Sequence, residues 1–271
     1  MIHNEYYPLP ERSILVKKRG VFLLISLFFF LSFQSEGMAA VKRYTVQILN
    51  TLPHSTESFT QGLVYHEGVL YESTGLYGQS TLQKLDAATG KLLKKISVPN
   101  VFAEGLARWQ DRLIQITWKN RIALIYALAD FSPLGMFQYD TEGWGLTNDD
   151  QSLIMSDGTN VLTFRNPDTF AAERRIEVTV QGEPVPYLNE LEYVDGLIYA
   201  NVWYQNFIVQ IDPADGEVVG VIDAAPLFHQ LPPLSDDSVL NGIAYNNDRS
   251  TLYLTGKNWP KIFGVTLYPL P

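Results

Sequence analysis

The chain has 271 residues, with 20 Lys and Arg against 29 Asp and Glu, and no cysteine. A formal charge of −9 argues against a nucleic-acid binder, which needs a basic face for phosphate, and the missing cysteine excludes disulfides and thiol chemistry. Stability must come from a buried core, which a chain of this size can build.

Residues 1–40 read as a targeting segment. Lys17, Lys18 and Arg19 form a basic cluster, residues 21–33 are an apolar run interrupted only by Ser26 and Ser32, and Gly37, Met38, Ala39 and Ala40 supply a small-residue cleavage region. These are the three parts of a secretory signal, and the run is shorter than the ~20 residues of a spanning helix. The expected plan is a signal peptide or N-terminal anchor over residues 1–40 and a single catalytic domain over 41–271. The protein is then exported, periplasmic or secreted, with no membrane span in the mature form. Beyond residue 40 there remain 16 basic and 26 acidic side chains, a charge of −10.

The rest of the chain is a series of short apolar runs rich in β-branched and aromatic residues, bounded by Gly, Asn and Asp, with no long stretch of helical period. These are strand signals. A strand over residues 44–49 comes first. Five openings then recur: Gln61-Gly62-Leu63, Glu104-Gly105-Leu106, Trp144-Gly145-Leu146, Asn189-Glu190-Leu191 and Asn241-Gly242-Ile243, at spacings of 43, 40, 45 and 52 residues. Each leads into a strand, a tight turn such as Val194-Asp195-Gly196, and a second strand; a third strand ends in a turn such as Asp86 to Gly90. A four-stranded antiparallel unit of ~40–45 residues has the size of a propeller blade. The reading is an all-β, five-bladed β-propeller, its ring closed by the N-terminal strand, which completes the last blade and hides sheet edges.

In a blade the start of the innermost strand and the end of the second lie on one rim. The starts are Gln61, Glu104, Trp144, Asn189 and Asn241; the ends are Glu72 to Thr74, Trp118, Asp157, Trp203 and Lys257. Three tryptophans fall in this set and Trp259 beside it, with only Trp109 elsewhere. Aromatic walls with a few convergent polar groups describe a ligand pocket. If Glu104, which follows Phe102 and sits among aromatics, is partly buried there, desolvation raises its pKa and suits it to proton transfer. On the residues alone, Glu104 also reads as a solvated turn carboxylate, Lys257 as a salt-bridged rim lysine and Asn189 as a turn-capping amide.

These positions resemble the plant-type glutaminyl cyclase (glutamine cyclotransferase) family. The matching segments are Phe59-Thr60-Gln61-Gly62-Leu63, Tyr71 to Gly75, Phe102-Ala103-Glu104-Gly105-Leu106, Thr117-Trp118, Glu142-Gly143-Trp144-Gly145-Leu146, Leu188 to Glu192, Asn201-Val202-Trp203, Leu240 to Ala244 and Thr255-Gly256-Lys257. The resemblance implies a five-bladed propeller enzyme, an aminoacyltransferase that converts N-terminal glutamine of peptides or proteins to pyroglutamate with release of ammonia. It implies Glu104, Asn189 and Lys257 as catalytic residues, and Phe59, Gln61, Phe102, Trp118, Trp144 and Trp203 as substrate-binding residues. No metal or other cofactor is implied for catalysis, with room left for a structural calcium in the channel. The partners expected are glutaminyl peptides and proteins, not nucleic acid, and the protein is expected to be a monomer. The 223–240 segment lies outside the shared pattern.

Two rivals remain at this level. One is a metal-dependent lactonase-type propeller holding calcium through Glu104, Asp157, Asn189 and Asn241, since calcium takes oxygen ligands. The other is a non-enzymatic binding propeller.

Overall fold

The computed structural model describes residues 40–271. All but the last residue of the segment read as a signal peptide or anchor lies outside the described residues.

The chain enters through β1 (Lys42–Pro53) and then builds antiparallel sheets in sequence order. The first sheet is β2 (Thr60–His66), β3 (Val69–Thr74), β4 (Thr81–Asp86) and β5 (Leu92–Ser97). The second is β6 (Ala103–Trp109), β7 (Arg112–Thr117), β8 (Ile122–Ala127) and β9 (Pro133–Gln138). The third is β10 (Leu146–Asn148), β11 (Leu153–Ser156), β12 (Val161–Arg165) and β13 (Ala172–Glu177), followed by a small hairpin, β14 (Thr179–Val180) and β15 (Glu183–Pro184). The last sheet has eight strands. Half of it is β16 (Leu188–Val194), β17 (Leu197–Val202), β18 (Phe207–Ile211) and β19 (Val218–Asp223). After α1 (Ala225–Phe228) come β20 (Leu240–Asn246), β21 (Thr251–Gly256) and β22 (Lys261–Leu270). β1 runs antiparallel to β22 and parallel to β19, which joins the two halves.

Burial grades across each sheet and explains the sequence pattern. Inner strands such as β2 and β6 are almost wholly buried, while β5, β9 and β13 are mostly exposed. A strand buried on both faces reads as a continuous apolar or small-residue run, and a half-buried one alternates. The inner strands pack side by side, β2 on β6, β6 on β10, β10 on β16, β16 on β20 and β20 on β2. Hydrophobic clusters fill the spaces between sheets. Val64, Tyr71, Leu106 and Leu113 lie between the first two, and Leu52, Leu63, Leu70, Tyr253 and Ile262 join the last to the first. The arrangement is all-β and propeller-like.

The glycines of the repeated openings have a steric cause. A Cβ on Gly105 would overlap the backbone at Leu146, and one on Gly145 would overlap the Asn189 carbonyl. Only glycine lets adjacent inner strands approach so closely. The fourth opening departs from this rule at Glu190. Its fully buried carboxylate reaches two other strands, accepting the Leu63 N–H at 3.1 Å and the Ile243 N–H at 2.8 Å. Burial, with Glu192 beside it, holds the Glu190 carboxyl well above the usual range despite these donors. Replacing Glu190 with Ala strands two buried N–H groups at about 1–3 kcal/mol each, so urea unfolding is expected to show a loss of about 2–6 kcal/mol. A loss below about 1 kcal/mol would mean that the interior rearranges to satisfy both.

Candidate active site

The site is assembled by a backbone device repeated at the inner strands. β2 has a register shift between Thr60 and Gly62, β6 between Ala103 and Leu106, β16 between Leu188 and Leu191, and β20 between Leu240 and Ile243. Bulges re-aim side chains beside active sites. The residues inside these bulges include Gln61, Glu104, Asn189 and Asn241. Outside each bulge the pairing resumes for one step: Gly75 N–H donates to Phe59 O, Trp118 to Phe102, Trp203 to Tyr187, and Lys257 to Val239. This brings the strand starts and the strand ends to one rim.

Three polar groups there are buried with no side-chain hydrogen bond to another described residue. Glu104 and Lys257 are each 6 % exposed and Asn189 3 %, and none of their side chains bonds another described residue. Asn189 Oδ1 is fully buried without a partner. Burial raises the Glu104 carboxyl well above its ordinary range, the Lys257 ammonium opposes the rise, and the Glu142 carboxylate adds to it. Burial lowers the Lys257 pKa, opposed by Glu104 and Asp237. The Lys257 Nζ lies 4.8 Å from the Phe59 ring centroid. Gln61 is held differently: its Oε1 accepts the Asn241 amide at 3.0 Å, and the same amide donates to Thr60 O.

Aromatic rings line the rim. Phe59 meets Phe102 edge-on at 6.2 Å, Phe102 meets Trp118 at 5.6 Å, and Trp144 meets Trp203 at 5.4 Å. Tyr77 and Tyr204 extend the row outward from Phe102 and Trp203. Leu76, Tyr187, Tyr204 and Asn258 sit at positive φ, and backbone strain of this kind gathers at functional sites.

Two residues expected on the rim are elsewhere. Trp259 is fully buried, donates its indole N–H to Ser238 O at 2.9 Å, and packs on Phe228 and Phe263. Glu72 is fully buried at the end of the first sheet. It accepts His54 Nε2 at 2.9 Å, Thr60 Oγ1 at 2.7 Å and Ser58 Oγ at 3.3 Å, while His54 Nδ1 donates to Trp259 O at 2.7 Å. Burial disfavours the His54 charge, but Glu72 outweighs it and raises the imidazole pKa. This buried pair braces the two segments that carry Phe59 and Lys257.

Of the oxygen groups suggested for a calcium site, the Asp157 carboxylate is engaged by its own turn at Thr159, while Asn241 Nδ2 donates to Gln61 and Thr60 and its Oδ1 is buried without a partner. Among the described residues no group of three acidic or histidine side chains is placed to hold a metal. One residue at the rim had been assigned no role from the sequence. Glu142 accepts the indole N–H groups of Trp118 and Trp144, and its only sequence signal is its place two residues before Trp144.

Comparison with known proteins identifies the family. The sequence pattern of the family described as glutamine cyclotransferase matches residues 22–267. A glutaminyl-peptide cyclotransferase of Arabidopsis thaliana is 36% identical over 252 residues, which is 88% of this chain and 78% of the relative. The crystal structure of Myxococcus xanthus glutaminyl cyclase superimposes with a TM-score of 0.82 at 39% identity, covering 86% of this chain and 100% of that one. The chain belongs to the glutamine cyclotransferase family.

Proposed function

We propose that this protein is a glutaminyl-peptide cyclotransferase acting on peptides or proteins with N-terminal glutamine. The observation that carries the reading is the trio Glu104, Lys257 and Asn189, buried at an aromatic rim, their side chains making no hydrogen bond with another described residue and Asn189 Oδ1 fully buried without a partner. Buried polar groups are almost always paired within the protein, so an unpaired set in a cleft is kept for a ligand.

The chemistry follows from those groups. The substrate α-amine attacks its own side-chain amide carbon, so the new N–C bond closes a five-membered ring and much of the entropic cost is already met. Glu104, as carboxylate, takes the proton released by the attacking nitrogen. It delivers a proton to the departing nitrogen as the old C–N bond breaks and ammonia leaves. Asn189 and Lys257 hydrogen-bond the amide oxygen as it gains charge, in the manner of an oxyanion hole. Phe59, Phe102, Trp118, Trp144 and Trp203 wall the cup and exclude water, and Gln61 positions the polar end of the substrate.

The same reading extends to the architecture. Five four-stranded blades, the last made of β20, β21, β22 and β1, account for the packing of β20 on β2 and for the pairing of β1 with β22. Residues 41–271 form one catalytic domain, a monomer, delivered to the periplasm or secreted by the leader or anchor ahead of it. No described helix is long and apolar enough to cross a membrane. The reading asks for no cofactor in catalysis. The Glu190 carboxylate on the fourth inner strand already accepts two backbone N–H groups. Calcium takes six to eight oxygens, and among the described residues no group of three His, Cys, Asp or Glu side chains is placed to hold a metal, so a structural calcium would also draw on amide and backbone oxygens.

Incubation with a glutaminyl dipeptide while ammonia is followed tests the activity directly; no release from any glutaminyl peptide removes it. The pH profile tests the mechanism. The α-amine must be neutral to attack, and a free one has a pKa of ~7.7–8.0. Glu104 must be ionised, and its raised pKa places that requirement on the same ascending side. kcat/KM is therefore expected to rise with pH through this window. It should fall again as Lys257 deprotonates, earlier than an ordinary lysine, because burial lowers its pKa. Two substrates with different amine pKa values should displace the ascending limb by that difference. A limb that stays in place for both would mean that the substrate amine is not the titrating group.

A further inference from the structure

The aromatic wall has one break. Ring contacts run from Phe59 through Phe102 to Trp118, and separately from Trp144 to Trp203. Trp118 and Trp144 make no ring contact with each other. The gap is closed by a carboxylate: Glu142 Oε2 accepts the Trp118 indole N–H at 2.7 Å and the Trp144 indole N–H at 3.3 Å. We infer that Glu142 is a positioning residue of this site, whose one oxygen ties the two indoles together and sets the width of the cup that receives the glutamine side chain. Its effect on turnover rests on the cyclotransferase reading.

The segment carrying Glu142 is built to hold it there. Gly143 N–H donates to Trp118 O at 3.1 Å, which seats residue 142 directly beside the first indole. A side chain at Gly143 would collide with the Tyr139 hydroxyl and Thr117 O. The Tyr139 hydroxyl in turn donates to Thr117 O and accepts the Thr117 N–H at 2.9 Å, so the 139–144 strap is fastened to the end of β7. On the other side Trp144 N–H donates to Ser156 O, and the Trp144 ring lies against Gly158, where a Cβ would strike it. The Trp118 ring also has the Lys119 ammonium 4.0 Å from its centroid. Each indole is thus held by its backbone and its surroundings, and Glu142 fixes the remaining freedom, rotation of its N–H edge. Hydrogen bonds to an ionised acceptor are the stronger kind.

Glu142 also faces Glu104 as a like charge. The charged or ionisable groups around Glu104 are Lys257 after β21, Glu142 on the strap and Tyr139 behind it. The two roles separate by substitution. Glu142→Gln keeps an oxygen at the same reach but removes the charge; Glu142→Ala removes both. Glu142→Gln is expected to keep a near wild-type KM and to shift the ascending limb of kcat to lower pH, since Glu104 loses a repelling neighbour. Glu142→Ala is expected to lower kcat/KM about 10²-fold, the scale of a small misplacement of a positioning wall, mainly through KM. Its tryptophan fluorescence should become more accessible to acrylamide, with Glu142→Gln restoring protection. Wild-type KM, kcat and quenching in Glu142→Ala would overturn the assignment, as would equal pH profiles for wild type and Glu142→Gln together with equal quenching in all three proteins. A wild-type protein that releases no ammonia would remove the cyclotransferase reading instead. The quenching comparison, which needs no turnover, would then decide by itself whether Glu142 holds the indoles.

Discussion

Glu104→Gln is expected to lower kcat by about 10²–10⁴-fold while the protein still folds, the range a general acid–base group contributes. The amide has the size of the carboxyl and cannot relay a proton between the attacking and departing nitrogens. The Glu104 side chain makes no hydrogen bond with another described residue, so the exchange breaks none there, and its position inside the β6 bulge is set by backbone. KM should change far less than kcat, because the aromatic walls that bind the substrate are untouched. In energy the loss corresponds to about 2.7–5.4 kcal/mol of transition-state stabilisation, at 1.36 kcal/mol per decade. The measurement is steady-state ammonia release with circular dichroism on the same preparation. Turnover near wild type in a folded variant would take Glu104 out of the proton path and leave the rim as a binding surface.

How legible this site was depends on what each residue answers to. Glu104 and Asn189 are readable because they occupy the first position of a repeated opening, and that opening recurs because Gly105 and Gly145 admit the next inner strand. The bulges that aim them are not readable. A bulge sets two residues against one, and it leaves no mark in a pattern of apolar spacing. Trp259 shows the limit more sharply. It stands two residues after Lys257, but Asn258 between them has a φ of 60°, which turns the chain so that the lysine faces the pocket and the indole faces the core. Glu72 lies near the end of β3 as expected of a rim residue, yet its partner His54, just after β1, draws it into a buried network. Glu142 belongs to neither the start nor the end of a strand. It lies on a strap between sheets, so a map built from strand positions passes over it. Fold class rests on many repeated positions and was readable; partners between distant segments rest on single contacts and were not.

Lys257→Met is expected to cost about 10²–10³-fold in kcat, the effect of removing one oxyanion donor. Methionine matches the length and apolar stem of lysine without its charge. The site offers it a reasonable seat, since the Nζ already lies over the Phe59 ring and sulfur also packs well against aromatic rings. The protein gives up a buried ammonium that burial disfavours, so loss of folding is not the expected cause of lost activity. The diagnostic sign is in the pH profile of what activity remains. Lys257 holds the Glu104 pKa down against burial and against Glu142. Without that cation Glu104 ionises only at higher pH, and the ascending limb of kcat should move up the pH axis, opposite to the shift expected when Glu142 loses its charge. Arginine should not restore the rate, because its planar, longer head does not substitute for a compact ammonium in a buried pocket. A lysine that merely decorates the rim would give a variant with the wild-type limb and a kcat within a few-fold of wild type, and that outcome would assign the oxyanion role to Asn189 alone.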